Sequence, residues 1–146
     1  MAWYSKYLSI YEKPFSEVPD DVIISTRERL AAMQSDNPLV SIVVIAYNEG
    51  KRLTACLWSL SELQTSYPIE ILGVNNNSKD DTEEVYKALG VRYFNEMRQS
   101  PGFARQCGLD HSKGKYHFFI DADTFYPPHY VDTMMQPRKA LQNQGK

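Results

Sequence analysis

The chain has 146 residues, enough for one ordinary domain with a real core but short for a two-domain enzyme. Hydrophobic content of 42%, charged content of 23% and an aromatic share of 12% describe a soluble globular protein and exclude disordered and fibrous classes. A net charge of -2 supplies no long-range pull toward nucleic acid, so no nucleic-acid partner is expected and an anionic ligand must be held by local groups.

The first segment sets Trp3, Tyr4, Tyr7, Tyr11 and Phe15 among polar residues. It has no apolar stretch of the signal-peptide kind. Val18-Pro19-Asp20-Asp21 reads as a helix start, with Pro in the first turn and acids at the positive end of the dipole. Ile23, Leu30 and Met33 fall near one face, so a helix is expected from about Pro19 to Gln34, ended by Asp36-Asn37-Pro38. Residues 1–38 are read as an N-terminal helical extension and residues 39–146 as the main domain.

From Leu39 onward, short β-branched runs alternate with helical periodicity, the pattern of βα units on a mostly parallel sheet. Strands are expected at Val40–Ala46, Glu70–Val74, Arg92–Phe94 and Tyr116–Ile120. The first intervening helix carries Leu53, Cys56, Leu57, Leu60 and Leu63. The second runs from about Asp80 to Leu89 with Ser78 as its cap, and the third covers Phe103 to His111. A fourth helix follows Pro128, and Pro137 should kink or end it. Cys56 and Cys107 both sit inside helical patterns, which favours core packing in a reducing, cytoplasmic compartment over a disulfide. The longest apolar run, Ile42 to Ala46, is far short of a membrane span.

In an open parallel sheet, ligands bind at the carboxyl ends of the strands, near the switch point of strand order. Three polar segments occupy those ends: Tyr47-Asn48-Glu49, Asn75-Asn76-Asn77-Ser78 and Asp121-Ala122-Asp123. Asp121 and Asp123 place two carboxylates one residue apart, a costly pairing unless a cation offsets it, and hard oxygen ligands suit Mg²⁺ or Mn²⁺. Two solvated acids in a loop are the plain alternative. Tyr47 can cover a base while Asn48 and Glu49 accept from ribose or base N–H groups, although Asn-Glu-Gly is also a good turn. The amides after the second strand can donate and accept, whereas Ser78 and Thr82 read as local structure. Gly102 allows close approach and Arg105 can reach a diphosphate with its planar fork; an ordinary surface ion pair is the alternative. His111, His117 and His129 lack zinc-ligand spacing.

Taken in order, these segments resemble the inverting GT-A glycosyltransferases of family 2. The resemblance runs from Leu39 to about Tyr130 through Val43-Val44-Ile45-Ala46-Tyr47-Asn48-Glu49, Val74-Asn75-Asn76-Asn77-Ser78-Lys79-Asp80-Asp81-Thr82, Gly102-Phe103-Ala104-Arg105 and Phe119-Ile120-Asp121-Ala122-Asp123. It implies a Rossmann-like α/β fold, a nucleoside diphosphate sugar as donor, Mg²⁺ or Mn²⁺, and a glycan or lipid-linked glycan as acceptor. By position, Tyr47 and Glu49 would contact the nucleoside and Asn75 would meet the base, with Ala46, Asn48 and Asn77 also in the nucleotide-sugar site. Arg105 would lie near the diphosphate, Asp121 and Ala122 would face the ribose and sugar, and Asp123 with Asp121 would hold the metal. Asn75 stands where the family usually has Asp, Ala46 where it has Pro, and Gln106 where Asn is common. The family's acceptor half and general-base carboxylate normally lie beyond the point corresponding to Lys146, so the chain is expected to be a donor-binding fragment with an exposed surface prone to homodimerisation. The full-length protein is expected to associate peripherally with the inner face of the membrane. Two other readings stay open: a non-catalytic nucleotide-sugar-binding module needing a partner chain, and a nucleotidyltransferase-like or NAD-dependent enzyme. Against the last stand the missing Gly-x-Gly-x-x-Gly after the first strand and the missing phosphate loop.

Overall fold

A computed structural model describes residues 2–136. Two short 3-10 turns, Tyr7–Ser9 and Phe15–Glu17, lead into helix α1 (Asp20–Met33). Pro19 and Gln34 flank α1, so the expected boundaries shift by a single residue at each end. Leu30 is buried, with Ile23 and Met33 packed against the same core, as their spacing requires.

The remaining elements are β1 (Val40–Ala46), α2 (Leu53–Ser61), β2 (Ile69–Asn75), α3 (Thr82–Ala88), β3 (Tyr93–Asn95), α4 (Pro101–His111) and β4 (Tyr116–Asp121). Residues 130–136 are helical, as expected after Pro128, and Pro137 lies outside the described residues. The four strands pair in parallel in the order β3-β2-β1-β4. Central strands covered on both faces read as continuous apolar runs, which is why β1 (VSIVVIA) and β2 (IEILGVN) are buried along almost their whole lengths. One face packs Val40, Ile42 and Val44 against Leu30, Leu53, Leu57, Leu60, Val85 and Tyr86; the other packs Val43, Leu72 and Val74 against Ala104.

Two glycines let helices approach the sheet. A Cβ on Gly73 would lie 2.3 Å from the Tyr86 ring, and one on Gly108 would lie 2.5 Å from Val43 Cγ1. Tyr86 is fully buried, and its hydroxyl donates to the Val44 carbonyl at 2.9 Å.

The segment preceding α1 is part of this packing. Tyr7, Ile10 and Val18 form a second buried cluster with Ala55 of α2, against which Tyr11, Trp58 and Phe125 pack. Among the described residues no helix is long and apolar enough to cross a membrane.

Candidate functional site

The strand order reverses direction at β1, whose two neighbours, β2 and β4, come from opposite directions along the chain. The register sets Ile45 beside Asp121 and Ala46 beside Asn75, so three strands end at one level. Immediately beyond lies an open cavity of about 380 Å³, lined by Ile45, Tyr47, Glu49, Asn76, Arg105, the Gln99-Ser100-Pro101 segment and Asp121-Ala122-Asp123. Parallel sheets place ligand sites at such a point because the strand ends splay apart and leave a crevice.

The Asp121-Ala122-Asp123 segment leaves β4 through a turn. Ala122 is buried while both acids are exposed, and all three residues line the cavity. Two tyrosines hold its backbone: Tyr126 Oη donates to the Asp121 carbonyl at 3.1 Å, and Tyr11 Oη donates to the Asp123 carbonyl at 2.6 Å. Cys56 lies behind, with Sγ 3.8 Å from the Asp121 carbonyl; burial and then the nearby carboxylates push its thiol pKa far up.

The loop after β1 is pinned by the loop after β2. Asn48 N–H donates to Ser78 Oγ, Glu49 N–H to Thr82 Oγ1 and Gly50 N–H to Asp80 Oδ2, each at 2.9 Å. Lys79 N–H returns a bond to Asn48 Oδ1 at 2.7 Å. Asn48 and Asn77 both have positive φ, a backbone state that asparagine tolerates better than most residues. Ser78 therefore does not cap the second helix. That helix begins at Thr82, two residues later than expected, because Ser78, Asp80 and Thr82 are spent on bracing Asn48-Glu49-Gly50. Burial opposes ionisation of Asp80, but hydrogen bonds from Thr82 and Gly50 outweigh it and lower its pKa.

Glu49 is held over the cavity by Arg52, whose Nη1 lies 2.7 Å from its carboxylate. Burial raises the Glu49 pKa, Arg52 opposes that rise, and the charges of Asp123 and Asp80 add to it. Across the cavity, Arg105 is exposed and enters no ion pair among the described residues. It projects from the first turns of α4, whose start lines the cavity and favours an anion there.

The structure thus brings Tyr47, Glu49, Arg105, Asp121, Ala122 and Asp123 to one cavity. Ala46, Asn48, Asn75 and Asn77 do not line it. Ala46 is buried in β1 and accepts from Asn76 N–H, while Asn48 and Asn77 shape the loops. Asn75 is buried at the end of β2, donates through Nδ2 to Asn95, and keeps an Oδ1 with no donor. Asn76, Gln99 and Ser100 are lining residues that the sequence does not single out. Asn76 is one of three adjacent amides with no signal separating it from its neighbours, and Gln99-Ser100 precede the helix whose glycine and arginine stand out.

Among the described residues no group of three or more His, Cys, Asp or Glu side chains converges as a metal cage. Two exposed carboxylates at an open mouth nevertheless suit Mg²⁺ or Mn²⁺, since Mg²⁺ characteristically takes one or two protein carboxylates and completes its shell with water and phosphate oxygens.

Similarity to known proteins agrees with this geometry. Residues 41–143 match the sequence profile of Glycosyl transferase family 2. An uncharacterized glycosyltransferase of Rickettsia prowazekii is 32% identical over 109 residues, covering 73% of this chain and 34% of the relative. The putative glycosyltransferase EpsH of Bacillus subtilis is 33% identical over 106 residues, covering 69% and 30%. The chain thus spans about a third of the length of these curated relatives. Among solved structures, S. aureus TarS 1-349 in complex with UDP superposes with a TM-score of 0.57 at 24% identity, over 66% of this chain and 31% of that one. The Pyrobaculum calidifontis mannosyltransferase PcManGT, in complex with GDP-Man and Mn²⁺, gives 0.56 at 17% identity, over 85% and 40%. At such identities these likenesses speak for the fold. With the profile matched across most of its length, the chain belongs to glycosyl transferase family 2.

Proposed function

We propose that this chain forms the donor-binding part of a metal-dependent transferase that passes a sugar from a nucleoside diphosphate sugar to an acceptor hydroxyl with inversion. The observation that carries the reading is the convergence of Tyr47, Glu49, Arg105, Asp121 and Asp123 on one cavity at the switch point of the sheet. Tyr47, 43% exposed at the rim, offers a ring for a base to cover, and Glu49 accepts from the ribose hydroxyls. Asp121 sits on the ribose and sugar side, and Arg105 with the start of α4 balances the diphosphate charge. Asp123 and Asp121 would hold Mg²⁺ or Mn²⁺. When bound, the ion neutralises charge on the departing diphosphate. The acceptor of this reading is a glycan or lipid-linked glycan, and no residue described here is assigned as its general base. Self-association through exposed apolar side chains such as Phe119 belongs to the same reading.

Calorimetric titration with UDP and GDP, in Mn²⁺ and in chelator, tests this reading. Binding of one or both only with metal is the expected result. Equal heats in both conditions would remove the metal from the account, and no binding at all would remove the nucleotide. A radiolabelled-sugar assay on the titrated protein separates transfer from the alternative of a binding module that works only with a partner chain.

A further inference from the structure

The structure assigns a role to two adjacent residues outside the matched family segment: Tyr11 and Glu12 clamp the two loops that build the cavity, and so act as positioning residues for the donor site. That role rests on the donor-site reading of the cavity.

Tyr11 reaches the β4 side. Its hydroxyl donates to the Asp123 carbonyl at 2.6 Å, and its ring meets Phe125 edge-on at 5.4 Å. Glu12 reaches the β1 side. Its carboxylate accepts from Arg52 Nε, and the same guanidinium donates through Nη1 to Glu49 at 2.7 Å. Glu12 N–H also donates to the Lys51 carbonyl at 3.0 Å, fixing the segment to the loop by its backbone. Glu12 adopts φ of 66°, a left-handed conformation that costs a non-glycine residue free energy and persists where surrounding contacts hold it. That turn sends consecutive side chains to two different loops that line one cavity. Asp123 and Glu49, which both line the cavity, are thereby held from outside it by neighbours in sequence. Beneath them Tyr7 and Ile10 are buried against Ala55, so the clamp is anchored on α2 and not on a free strand of chain.

A hydrogen bond to the backbone that carries a ligand residue restricts that residue's orientation, and outer contacts of this kind tune affinity without touching the ligand. Tyr11→Phe keeps the ring against Phe125 and removes only the hydroxyl; Glu12→Gln keeps the shape and removes the negative charge paired with Arg52. The test is amide hydrogen exchange over residues 47–52 and 121–126, with Mn²⁺-dependent UDP titration of the same samples. Tyr11→Phe is expected to speed exchange in 121–126 and weaken Mn²⁺-dependent UDP binding by about tenfold. Glu12→Gln is expected to speed exchange in 47–52, and neither variant should alter exchange in β1 or β2. Loop exchange identical to that of the unsubstituted chain in both variants would overturn the clamp, as would a uniform rise across the whole sheet, which marks general destabilisation. Should the unsubstituted chain bind no UDP while the loops still loosen locally, the donor-site reading fails and the clamp stands.

Discussion

Gly50 gives its backbone N–H to Asp80 Oδ2 at 2.9 Å, and this bond closes a brace between the first two loops of the sheet. The same carboxylate accepts from Thr82 N–H at 3.0 Å through its other oxygen. One aspartate therefore ties the turn that leads into α3 to the cavity-forming loop.

This brace carries a pH dependence. The folded-state pKa of Asp80 lies below its ordinary 3.8, because the hydrogen bonds to the ionised form exceed the cost of burial. Its contribution to stability is full above that ordinary value and is lost as pH falls through the lowered one. Asp80→Asn should destabilise the chain at neutral pH by about 1 kcal/mol, a modest figure because water screens an exposed carboxylate. Urea unfolding at pH 7 and near pH 3 should show the gap between the two proteins closing at the acidic end.

Gly73 sits beneath the Tyr86 ring, where an added methyl would lie 2.3 Å from Cε1. Neither partner can yield, since Tyr86 is fully buried, bonded to Val44 and stacked on Tyr93 at 5.3 Å. Gly73→Ala is expected to cost about 1–3 kcal/mol of stability. Tyr86→Phe, which removes the hydroxyl's bond to the Val44 carbonyl, should cost about 1 kcal/mol. Thermal unfolding of both variants checks the order.

Asp121 and Asp123 are exposed, so replacing either with Asn leaves the fold intact. Asp123→Asn should weaken Mn²⁺-dependent UDP binding by more than about tenfold, a loss of over about 1.4 kcal/mol. Unfolding midpoints without ligand should match the unsubstituted chain. A shifted midpoint would mean that the acid serves the fold.

The two thiols should differ in reactivity. Cys56 is buried and its ionisation strongly opposed, whereas Cys107 is only partly covered, with a pKa raised mainly by burial. Timed alkylation of native protein is expected to label Cys107 first and Cys56 only on unfolding.

Much of the fold is legible in the sequence. β1 matches its expected span residue for residue, and α1 within one residue, because a continuous β-branched run and a Pro-Asp-Asp start each admit one reading. Asp121 and Asp123 are evident from the apolar strand before them. The brace is not legible: Ser78, Asp80 and Thr82 have the composition of a helix start, and their use by Asn48-Glu49-Gly50 depends on strands β1 and β2 lying side by side. Nor is the reach of Tyr11 to Asp123 across 112 residues of sequence, since aromatic residues in a polar segment carry no address.

Nuclear magnetic resonance of the isotope-labelled chain, titrated with UDP and Mg²⁺, tests the central claim most directly. The donor-site reading predicts shifts confined to Ile45–Glu49, Asn75–Asn76, Gln99–Arg105 and Asp121–Asp123. Shifts centred instead on the cavity at the opposite ends of the strands, among Glu70, Arg92 and Lys113, would contradict it.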